Sequence, residues 1–550
     1  MNFINVDNYI SYNDLEKIED MYSELYIKIS NKLLYKIYFI KFCYDYNHIE
    51  NLKLFQNNKY VLSELNKSNN LLNNINGHSL DYNQRLAIVS DEYNSLVVAG
   101  AGSGKTLTII GKIRYLIENK NIDESEILCI SFTNDSVNDI KNSLNKYYNY
   151  NIDVFTFHKL ALNILNNDSN YKIANDKLLY YIIDEYFKCN FPDSIILKYE
   201  NYKIYSELKT LIFTFINLFK SNNFSLNCFS NFYEEISSKN KMSVHKNKIL
   251  LDIIKDIYML YCSELKSQNM IDFNDMINLA IRKLNFNLGY KYIIIDEYQD
   301  TSLTRYKLVK KIRDICKSKL IAVGDDFQSI YRFTGCNLDI FLNFELYFGK
   351  TNIIKIKNTY RNSKELIDVS GNFVMKNKSQ IRKKLLSDKR CFKPIKIVYY
   401  ENLADTFEKI INIINTDIFV LGRNNGDMQS ILKSEKFSYE NNRIVYKKDK
   451  SKVIKFYTVH KSKGLESDNV IVLNVIDDYL GFPSKIVNEN ILNFVSLNVD
   501  KYPYEEERRL FYVALTRTKN NVYLMTKKNK ESIFIKEIVK SSINNIQIIK

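Results

Sequence analysis

The stretch Ala99-Gly100-Ala101-Gly102-Ser103-Gly104-Lys105-Thr106 follows an apolar run and precedes the amphipathic segment Leu107–Glu118. An apolar run, a glycine-rich turn and an amphipathic segment predict a strand, a loop and a helix. Glycines let backbone N–H groups face a phosphate at the helix N-terminus, where the helix dipole favours negative charge. Lys105 is expected to reach the β- and γ-phosphates of a nucleotide, and the Thr106 hydroxyl to bind Mg²⁺. The stretch therefore predicts a nucleotide-phosphate loop, in which Ala99 replaces the first glycine of the strict pattern.

The composition is that of a globular chain with an excess of positive charge. The 550 residues suggest three or four domains, and a hydrophobic content of 45% allows sizeable cores. Lys and Arg number 78 against 63 Asp and Glu, which gives a net charge of +15. This excess favours a polyanionic partner such as nucleic acid. Many basic proteins bind no nucleic acid, so charge alone does not decide the function.

The eight cysteines are scattered and include no C-x-x-C pair. This pattern argues against a zinc or iron–sulfur site and favours reduced thiols in a cytosol. The sequence has no recognisable signal peptide and no apolar run of membrane-spanning length. We therefore expect a soluble, cytoplasmic protein with no membrane partner.

The chain divides into a helical N-terminal region and two α/β regions. Residues 1–79 carry helical periodicity, as in Leu15–Tyr26 and Leu33–Phe42, and are interpreted as an accessory region rather than a dedicated binding module. Beyond them, apolar runs alternate with helical segments, which is typical of parallel sheets with crossover helices. The first α/β domain is predicted at residues 80–345, with a mostly helical insertion at 160–268, and the second at 346–550.

Short apolar runs mark the strands of these domains. The strand candidates of the first domain are Leu96–Val98, Ile127–Ser131, Val154–Thr156, Tyr292–Ile295 and Leu320–Val323. Those of the second are Ile353–Ile356, Ile395–Tyr399, Ile418–Leu421, Ile454–Tyr457, Val470–Leu473 and Val522–Met525. The predicted fold class is therefore α/β with two sheets.

Two adjacent carboxylates end one of these runs, in Ile293-Ile294-Ile295-Asp296-Glu297. A strand that ends in Asp-Glu can place one carboxylate on a metal ion and its neighbour beside an attacking water. Asp296 is expected to hold Mg²⁺ together with Thr106, and Glu297 to act as the general base. Acidic residues are common where a loop begins, so this interpretation depends on the phosphate loop in the same domain.

Further motifs follow in order along the chain. They are Leu80–Gln84, Ser131–Asn134, Phe155–His158, Asp272–Asp275, Val323–Phe333, Asn358–Arg361, Tyr457–Glu466 and Glu506–Thr518. With the phosphate loop, this series resembles superfamily 1 DNA helicases of the UvrD/Rep type, from about residue 79 to residue 530. Within that family, the helicase IV-like subgroup is the one that Gly324–Gln328, Gly481–Ser484 and Tyr502–Arg509 resemble.

The resemblance implies two RecA-like P-loop domains with ATP and Mg²⁺ bound between them. Gln84 would read the adenine edge, Tyr360 would stack on the adenine face, and Glu466 would touch the ribose. The phosphates would be held by Gly100, Ala101, Gly102, Ser103, Gly104, Lys105 and Thr106.

The resemblance also assigns roles in hydrolysis. Gln328 would sense the γ-phosphate. Arg361 and Arg517, from the second domain, would supply positive charge to the transition state across the cleft. These groups would engage only when the cleft closes, which would couple hydrolysis to motion.

Single-stranded DNA is the partner that the resemblance implies. Phe132, Tyr331 and Phe333 would be stacking platforms, since aromatic stacking accepts any base. The other candidate DNA contacts are Thr133, Asn134, Thr156, His158, Thr458 and His460. Each of the two histidines could instead be an ordinary core residue.

The chain also departs from the family pattern. Leu107 stands where many relatives have an arginine that stacks on adenine, so Tyr360 is expected to hold one face alone. The short interval between Arg361 and Thr458 predicts that the family's large inserted domain is absent or vestigial. We also expect no fused nuclease domain, because the sequence ends soon after Arg517.

The predicted function is an ATP-dependent translocase that moves on single-stranded DNA and unwinds duplexes from single-strand/duplex junctions. A 3′→5′ polarity is implied by the family alone. The alternative is a DNA- or partner-gated motor subunit of a repair or anti-phage defence complex that contains a separate nuclease. An inactive nucleic-acid-binding relative is disfavoured, because every hydrolytic position is filled.

Overall fold

The structure, a computed structural model, describes residues 9–14, 49–165, 171–192, 202–237, 241–441, 443–485, 490–497 and 502–549. The helical periodicity predicted for Leu15–Tyr26 and Leu33–Phe42 lies outside these residues. The described part of the N-terminal region contains α1 (Ile49–Lys67) and α2 (Asn69–Leu72). Leu71 and Leu72 of α2 are buried in the same core as the first α/β domain.

The remaining helices of the described residues alternate with strands except in the insertion and just before the strand Asn352–Ile356, where helices follow one another. They are α3 (Tyr82–Val89), α4 (Lys105–Lys120), α5 (Asn134–Tyr148), α6 (Phe157–Leu165), α7 (Asp176–Asn190), α8 (Tyr202–Ser221), α9 (Cys228–Ser237), α10 (Lys241–Ser267), α11 (Phe273–Lys283), α12 (Leu303–Cys316), α13 (Asp339–Leu342), α14 (Phe344–Phe348), α15 (Lys364–Val374), α16 (Leu403–Ile413), α17 (Gly426–Leu432), α18 (Glu505–Leu515) and α19 (Ile533–Ser542). Within the described ranges, none of the helices has the length and apolarity that crossing a membrane requires.

The strands form two large sheets and one short pair. They are β1 (Asn94–Ala99), β2 (Ile127–Ser131), β3 (Asp153–Thr156), β4 (Lys172–Ile173), β5 (Met270–Ile271), β6 (Tyr292–Ile295), β7 (Lys319–Gly324), β8 (Asn352–Ile356), β9 (Ile395–Tyr399), β10 (Ile418–Gly422), β11 (Phe437–Glu440), β12 (Arg443–Tyr446), β13 (Ile454–Thr458), β14 (Ser467–Val472), β15 (Thr518–Thr526) and β16 (Ile546–Ile549).

Both large sheets are built on parallel pairs. The first has the order β3-β2-β6-β7-β1-β8, and its neighbours are all parallel. The second has the order β11-β12-β13-β10-β14-β15-β9-β16. It is parallel except where β12 pairs antiparallel with β11 and β13. The prediction of an α/β fold with two sheets is confirmed.

Alternate residues of the first sheet face two separate cores. Leu96 and Val98 of β1 lie in one core, and Val97 and Ala99 lie in the other. This is the period-two pattern of a strand buried on both faces, which explains its continuous apolar run. Burying one aliphatic side chain of this size contributes about 1.5–3 kcal/mol. The sheet is therefore a rigid support for the loops at its carboxyl edge.

The assignment of Ile353–Ile356 to the second domain is wrong. Strand β8 pairs in parallel with β1 at the edge of the first sheet, with Val97 opposite Ile354. Its side chains Ile354 and Ile356 are buried in the core of the first domain. A strand's sequence shows that one face is apolar but does not show which sheet it will join.

The helical insertion has its own core, made largely of aromatic side chains. Phe215, Phe219, Phe229 and Phe232 pack together there, with helices α7 to α10 around them. Strands β4 and β5 form a short parallel pair at its base. Residues 490–497, which lie between β14 and α18 in the chain, add apolar side chains to this core and so connect it to the second domain.

Candidate active site

The phosphate loop joins β1 to α4 in a conformation that requires glycine. Gly102 and Gly104 have φ values of +70° and +75°, which side chains with a Cβ adopt rarely. A Cβ on Gly102 would lie 2.5 Å from the Cβ of Arg361, and one on Gly104 would lie 2.7 Å from Nε2 of Gln84. The loop therefore combines a left-handed backbone with close packing.

The donor set at this loop fits a nucleotide phosphate. Gly104 occupies the N-cap position of α4 and provides no side-chain cap, and the first turn of α4 carries no acidic residue. The first N–H groups of a helix are satisfied by a cap, water or a ligand, and their dipole favours an anion. Lys105 adds a cation, and the Thr106 hydroxyl and Asp296 carboxylate are the oxygen ligands that Mg²⁺ prefers.

The two carboxylates predicted from the sequence lie at the carboxyl end of β6. Asp296 is buried and accepts the backbone N–H of Glu297 at 2.8 Å. Oε1 of Glu297 lies 3.2 Å from Nζ of Lys105, and its Oε2 lies 4.0 Å from Nζ of Lys463. Gln299 donates to Oε2 of Glu297 at 2.5 Å. The structure therefore pairs the loop lysine with the candidate general base.

The two carboxylates differ in pKa although they are neighbours. Burial alone would raise the pKa of Glu297, but the charges of Lys105 and Lys463 outweigh it and hold the pKa below its usual range. Burial, and then the negative charge of Glu297, raise the pKa of Asp296 above its usual range. Glu297 is thus a carboxylate at neutral pH, the state that a general base requires.

Arg361, from the second domain, lines the same cavity as the phosphate loop. Its Nε donates to Oε2 of Glu466 at 2.7 Å, and its Nη1 donates to the backbone oxygen of Thr516 at 3.4 Å. The other carboxylate oxygen of Glu466 lies 3.2 Å from Nζ of Lys519. Glu466, for which the resemblance implies a ribose contact, is therefore paired with two cations.

Arg517 is almost completely buried and contacts the first domain directly. Its Nη2 donates to Oε1 of Gln328 at 2.9 Å, and its Nη1 donates to the backbone oxygen of Leu465 at 3.2 Å. Burial, and then the charge of Arg361, lower the pKa of Arg517 to about 9, so the guanidinium is charged at neutral pH. The structure brings the predicted γ-phosphate sensor and one predicted arginine into contact.

Gln84 and Tyr360 meet through Asp81. Oε1 of Gln84 accepts the backbone N–H of Asp81 at 2.9 Å, and its Nε2 donates to the backbone oxygen of Ser103 at 3.0 Å. The Tyr360 hydroxyl donates to Oδ2 of Asp81 at 2.9 Å, and its ring is largely exposed. Gln84 thus completes the capping box of α3 with Asp81 and supports the phosphate loop.

Most of the residues predicted to bind the nucleotide line one cavity of about 1110 Å³. The predicted residues that line it are Gly100, Gly102, Ser103, Gly104, Lys105, Thr106, Asp296, Glu297, Gln328, Tyr360, Arg361, Glu466 and Arg517. Ala101 and Gln84 are buried behind its wall. Tyr331, a predicted DNA contact, also lines it.

The predicted DNA contacts fall into two aromatic groups. In the first domain, Phe132 packs edge-on to Phe157, with the guanidinium of Arg305 5.0 Å from the Phe132 ring. His158 contacts Phe273, with ring centroids 5.0 Å apart. Thr156 caps the following turn through the backbone N–H of Lys159 at 3.2 Å.

The second aromatic group lies where the two domains meet. Tyr331 and Phe333 lie with ring centroids 6.1 Å apart, and Phe333 contacts His460 at 5.6 Å. The Tyr331 hydroxyl donates to the backbone oxygen of His460 at 2.9 Å. Thr458 accepts the backbone N–H of Lys461 at 3.4 Å. Burial lowers the pKa of both His158 and His460 to about 4, so both rings are neutral at pH 7.

Thr133 and Asn134 directly follow Phe132 of the first aromatic group, at the start of α5. Thr133 is the N-cap of α5, where its hydroxyl oxygen accepts the backbone N–H of Ser136 at 3.2 Å. It lines the nucleotide cavity. Asn134 is the exposed first residue of α5.

Sequence reasoning assigned no role to three residues that the structure places at these sites. Lys463 faces Glu297 and also pairs with Asp300. Phe273 is 45% exposed beside His158. Lys383 is buried against Asp325 and Asp326. Lys463 and Phe273 lie inside motifs that the sequence shows, whereas Lys383 lies outside them.

A phosphate loop on one parallel sheet, with arginines facing it from a second, defines a two-domain P-loop protein. Two family models agree with this architecture. The UvrD/REP helicase N-terminal domain matches residues 80–349, and the UvrD-like helicase C-terminal domain matches residues 416–529. The chain belongs to the UvrD/Rep helicase family.

Individual relatives are similar over long stretches. DNA helicase IV of Escherichia coli (strain K12) is 26% identical over 534 residues, 90% of this chain and 75% of the relative. ATP-dependent DNA helicase Rep of Buchnera aphidicola subsp. Acyrthosiphon pisum is 27% identical over 499 residues, 85% of this chain and 71% of the relative. A probable DNA helicase II homolog of Mycoplasma capricolum is 30% identical over 376 residues, 64% of this chain and 50% of the relative.

Proposed function

We propose that the protein is an ATP-dependent DNA helicase that moves along single-stranded DNA and unwinds duplexes in the 3′→5′ direction. One observation carries the proposal: a single cavity has the Lys105–Glu297 pair on one wall and Arg361 and Arg517 on the other. The names of the relatives support the activity and its dependence on ATP. The polarity rests on family resemblance.

The phosphate loop and the N-terminus of α4 would bind the phosphates of ATP, and Thr106 and Asp296 would hold Mg²⁺. Bound Mg²⁺ would neutralise phosphate charge and make the terminal phosphorus more electrophilic. Lys105 is paired with Glu297 in this structure, so phosphate binding would exchange one anionic partner of the lysine for another. That exchange would free Glu297 to accept a proton from the attacking water.

The second domain would complete the site. Arg361 is held by Glu466, and Arg517 by Gln328, so both guanidinium groups are already positioned at the cavity. Arginines that reach across to the transferring phosphate can contribute on the order of 10³–10⁵ in rate. Because they lie on another domain, their contribution would depend on how the two domains are arranged, which would link hydrolysis to domain motion.

The two aromatic groups would form the path for single-stranded DNA. Phe132 and Phe273 of the first group and Tyr331 and Phe333 of the second offer ring faces or edges to bases. Thr156, His158, Thr458 and His460 would contact the backbone beside them, and Thr133 and Asn134 would lie nearer the nucleotide. Since the four aromatic rings lie on the first domain and Thr458 and His460 lie on the second, domain closure would shift these backbone contacts along the strand relative to the rings.

The proposal is tested by steady-state ATP hydrolysis with and without single-stranded DNA, for wild type and Glu297→Gln. The exposed Glu435→Gln is a matched control outside the cavity. We expect DNA to stimulate wild type and the control, and Glu297→Gln to lose at least 100-fold in kcat, within the range for a general base. Absence of DNA stimulation, or full activity of Glu297→Gln, would refute the proposal.

The alternative, a motor subunit gated by DNA or by a protein partner such as a nuclease, stays a prediction. Unwinding by the purified chain separates the two. Duplexes with a 3′ or a 5′ single-stranded tail are compared at low protein concentration. Unwinding of the 3′-tailed substrate alone supports an autonomous 3′→5′ helicase. DNA-stimulated hydrolysis without unwinding favours the gated subunit, and unwinding of the 5′-tailed substrate contradicts the polarity.

A further inference from the structure

Lys383 is a buried cation with no role in the proposed chemistry. Its side chain is 3% exposed, and its Nζ lies 2.5 Å from Oδ1 of Asp325 and 2.5 Å from Oδ1 of Asp326. Both carboxylates are fully buried. Burial alone would lower the pKa of Lys383, but the two carboxylates outweigh it and raise the pKa. The cluster is therefore one cation against two anions in a low-dielectric interior.

The segment that carries Lys383 is bound to this carboxylate pair by several contacts. The backbone N–H of Ile381 donates to Oδ2 of Asp326 at 2.9 Å, and Gln380 donates to the backbone oxygen of Asp326 at 3.2 Å. The aromatic ring of Phe327 lies 3.9 Å from Nζ of Lys383. The segment follows α15 in the chain, so these contacts bring a part of the chain beyond the first sheet onto the loop after β7.

Asp325 connects this cluster to the second domain. Its Oδ2 accepts Nε2–H of Gln328 at 2.6 Å. That bond orients the amide of Gln328 so that its Oε1 accepts Nη2–H of Arg517 at 2.9 Å. A continuous series of buried contacts thus runs from Lys383 through Asp325 and Gln328 to Arg517.

Asp325 also connects to the carboxylate at the phosphate loop. Its backbone N–H donates to Oε1 of Gln299 at 2.8 Å, and Nε2 of Gln299 donates to Glu297. Glu297 in turn pairs with Lys105. The position of Asp325 therefore affects the general base through its backbone and the γ-phosphate sensor through its side chain.

We propose that Lys383 is a positioning residue for ATP hydrolysis, which holds Asp325 so that the Gln328 amide faces both the γ-phosphate site and Arg517. Without the lysine, Asp325 and Asp326 would repel each other, and only the backbone N–H of Phe327, at 3.2 Å, would oppose rotation of the Asp325 carboxylate away from Gln328. Lys383 itself does not face the cavity, so ATP binding at the phosphate loop would persist. This inference rests on the proposed function.

The test compares Lys383→Met with Lys384→Met, an exposed neighbour on the same segment. We expect Lys383→Met to lose at least tenfold in DNA-stimulated kcat. Its KM for ATP and its affinity for a fluorescent ATP analogue should stay within threefold of wild type. Lys384→Met should match wild type. A kcat for Lys383→Met within twofold of wild type, or an equal loss in kcat and in nucleotide affinity, would overturn the inference.

A double-mutant cycle distinguishes positioning from general destabilisation. If Lys383 acts through Gln328, Gln328→Ala should lose little further activity in the Lys383→Met background. We expect the double variant to lie within twofold of Gln328→Ala alone. Independent, multiplicative losses would mean that Lys383 does not act through Gln328.

Lys383→Met leaves two buried carboxylates unpaired and could fail to fold. Lys383→Met/Asp326→Asn keeps the formal charge of the native cluster and provides the alternative background, with Asp326→Asn as its reference. Adding Lys383→Met to Asp326→Asn should again lower kcat at least tenfold. An unchanged kcat in this comparison would overturn the inference. A wild-type chain without DNA-stimulated hydrolysis would refute the proposed function and this inference with it, whereas an active wild type with an equally active Lys383→Met refutes the inference alone.

Discussion

The two α/β domains line the same cavity with different kinds of residues. In the first domain, Gly100 follows β1, Asp296 follows β6 and Asp325 follows β7, so the site lies at the carboxyl edge of the sheet. In the second domain, Glu466 precedes β14 and Arg517 precedes β15, so the cavity meets the amino ends of these strands.

This difference indicates that the two domains have different roles towards the nucleotide. The carboxyl edge of a parallel sheet is where loops and helix N-termini gather, which suits phosphate and metal binding. From the second domain, the cavity is lined by the segment that follows β13, including Lys461 and Lys463, and by Arg361 and Arg517. The second domain thus contributes mainly cationic side chains rather than a helix N-terminus. Binding and activation of the nucleotide are thus expected to be separable by mutation.

The largest effect should come from removing an arginine of the second domain. We expect Arg361→Ala to lower kcat on the order of 10³-fold, the lower range for such arginines. The KM for ATP should change by less than about tenfold, because the phosphate loop belongs to the first domain. DNA-stimulated hydrolysis measures both, with the exposed Arg382→Ala as control. If Arg361→Ala weakened ATP binding as much as it slowed hydrolysis, binding and activation would not be divided between the domains.

A smaller effect concerns His158 and His460, the half-buried histidines of the two aromatic groups. Burial and then Arg305 lower the pKa of His158, and burial and then Arg423 lower that of His460, in both cases to about 4. Between pH 6.5 and 4 the unfolded chain therefore binds more protons than the folded chain, and stability is lost as pH falls. Each histidine should lower the free energy of unfolding by about 2 kcal/mol at pH 5 relative to neutral pH.

Thermal unfolding from pH 7.5 to pH 5 checks this prediction. Lys463 and Glu506 also act on His460, so each histidine is replaced separately. Wild type should lose more Tm on acidification than His158→Gln or His460→Gln. Identical slopes for wild type and both variants would show that the histidines are not the groups that titrate.

The smallest effect should distinguish the loop glycines of the two domains. Gly104 and Gly464 both have left-handed backbones, with φ values of +75° and +84°. A Cβ on Gly104 would meet Gln84, whereas one on Gly464 would meet nothing within 4 Å. Gly464→Ala should cost only the backbone strain of about 1–2 kcal/mol. Gly104→Ala should lower the free energy of unfolding by more than this and should also raise the KM for ATP. Urea unfolding measures the first quantity and ATP kinetics the second. Equal losses of unfolding free energy for the two variants would contradict the packing difference.

Much of the fold was predictable from local pattern. The strands found within Tyr292–Ile295, Ile127–Ser131 and Ile395–Tyr399 coincide with the apolar runs of the sequence. A buried parallel strand must be apolar on both faces, so its run is visible without any partner. The partner is not visible, which is why β8 was assigned to the wrong sheet.

The candidate site was predictable to the extent that its residues lie in contiguous motifs. The phosphate loop and the Asp296–Glu297 pair were found by spacing, because their chemistry requires adjacent residues. Lys383 was not found, since its partners Asp325 and Asp326 lie more than fifty positions away and a lone lysine in sequence has no distinguishing pattern. Phe273 was overlooked because an exposed aromatic residue is recognisable only once its neighbours are known.

Two α/β units, a nucleotide-phosphate loop after β1 and the motifs of the UvrD/Rep family can all be recognised in the amino-acid sequence alone. Local sequence pattern is enough to predict these features, because they depend on residues that are close together in the chain and on the order of the motifs. The pairing of Lys105 with Glu297, the contact of Gln328 with Arg517 and the pairing of Asp325 with Lys383 are visible only in the folded chain. Those contacts join residues far apart in sequence, and their geometry follows from how two sheets pack across a cleft.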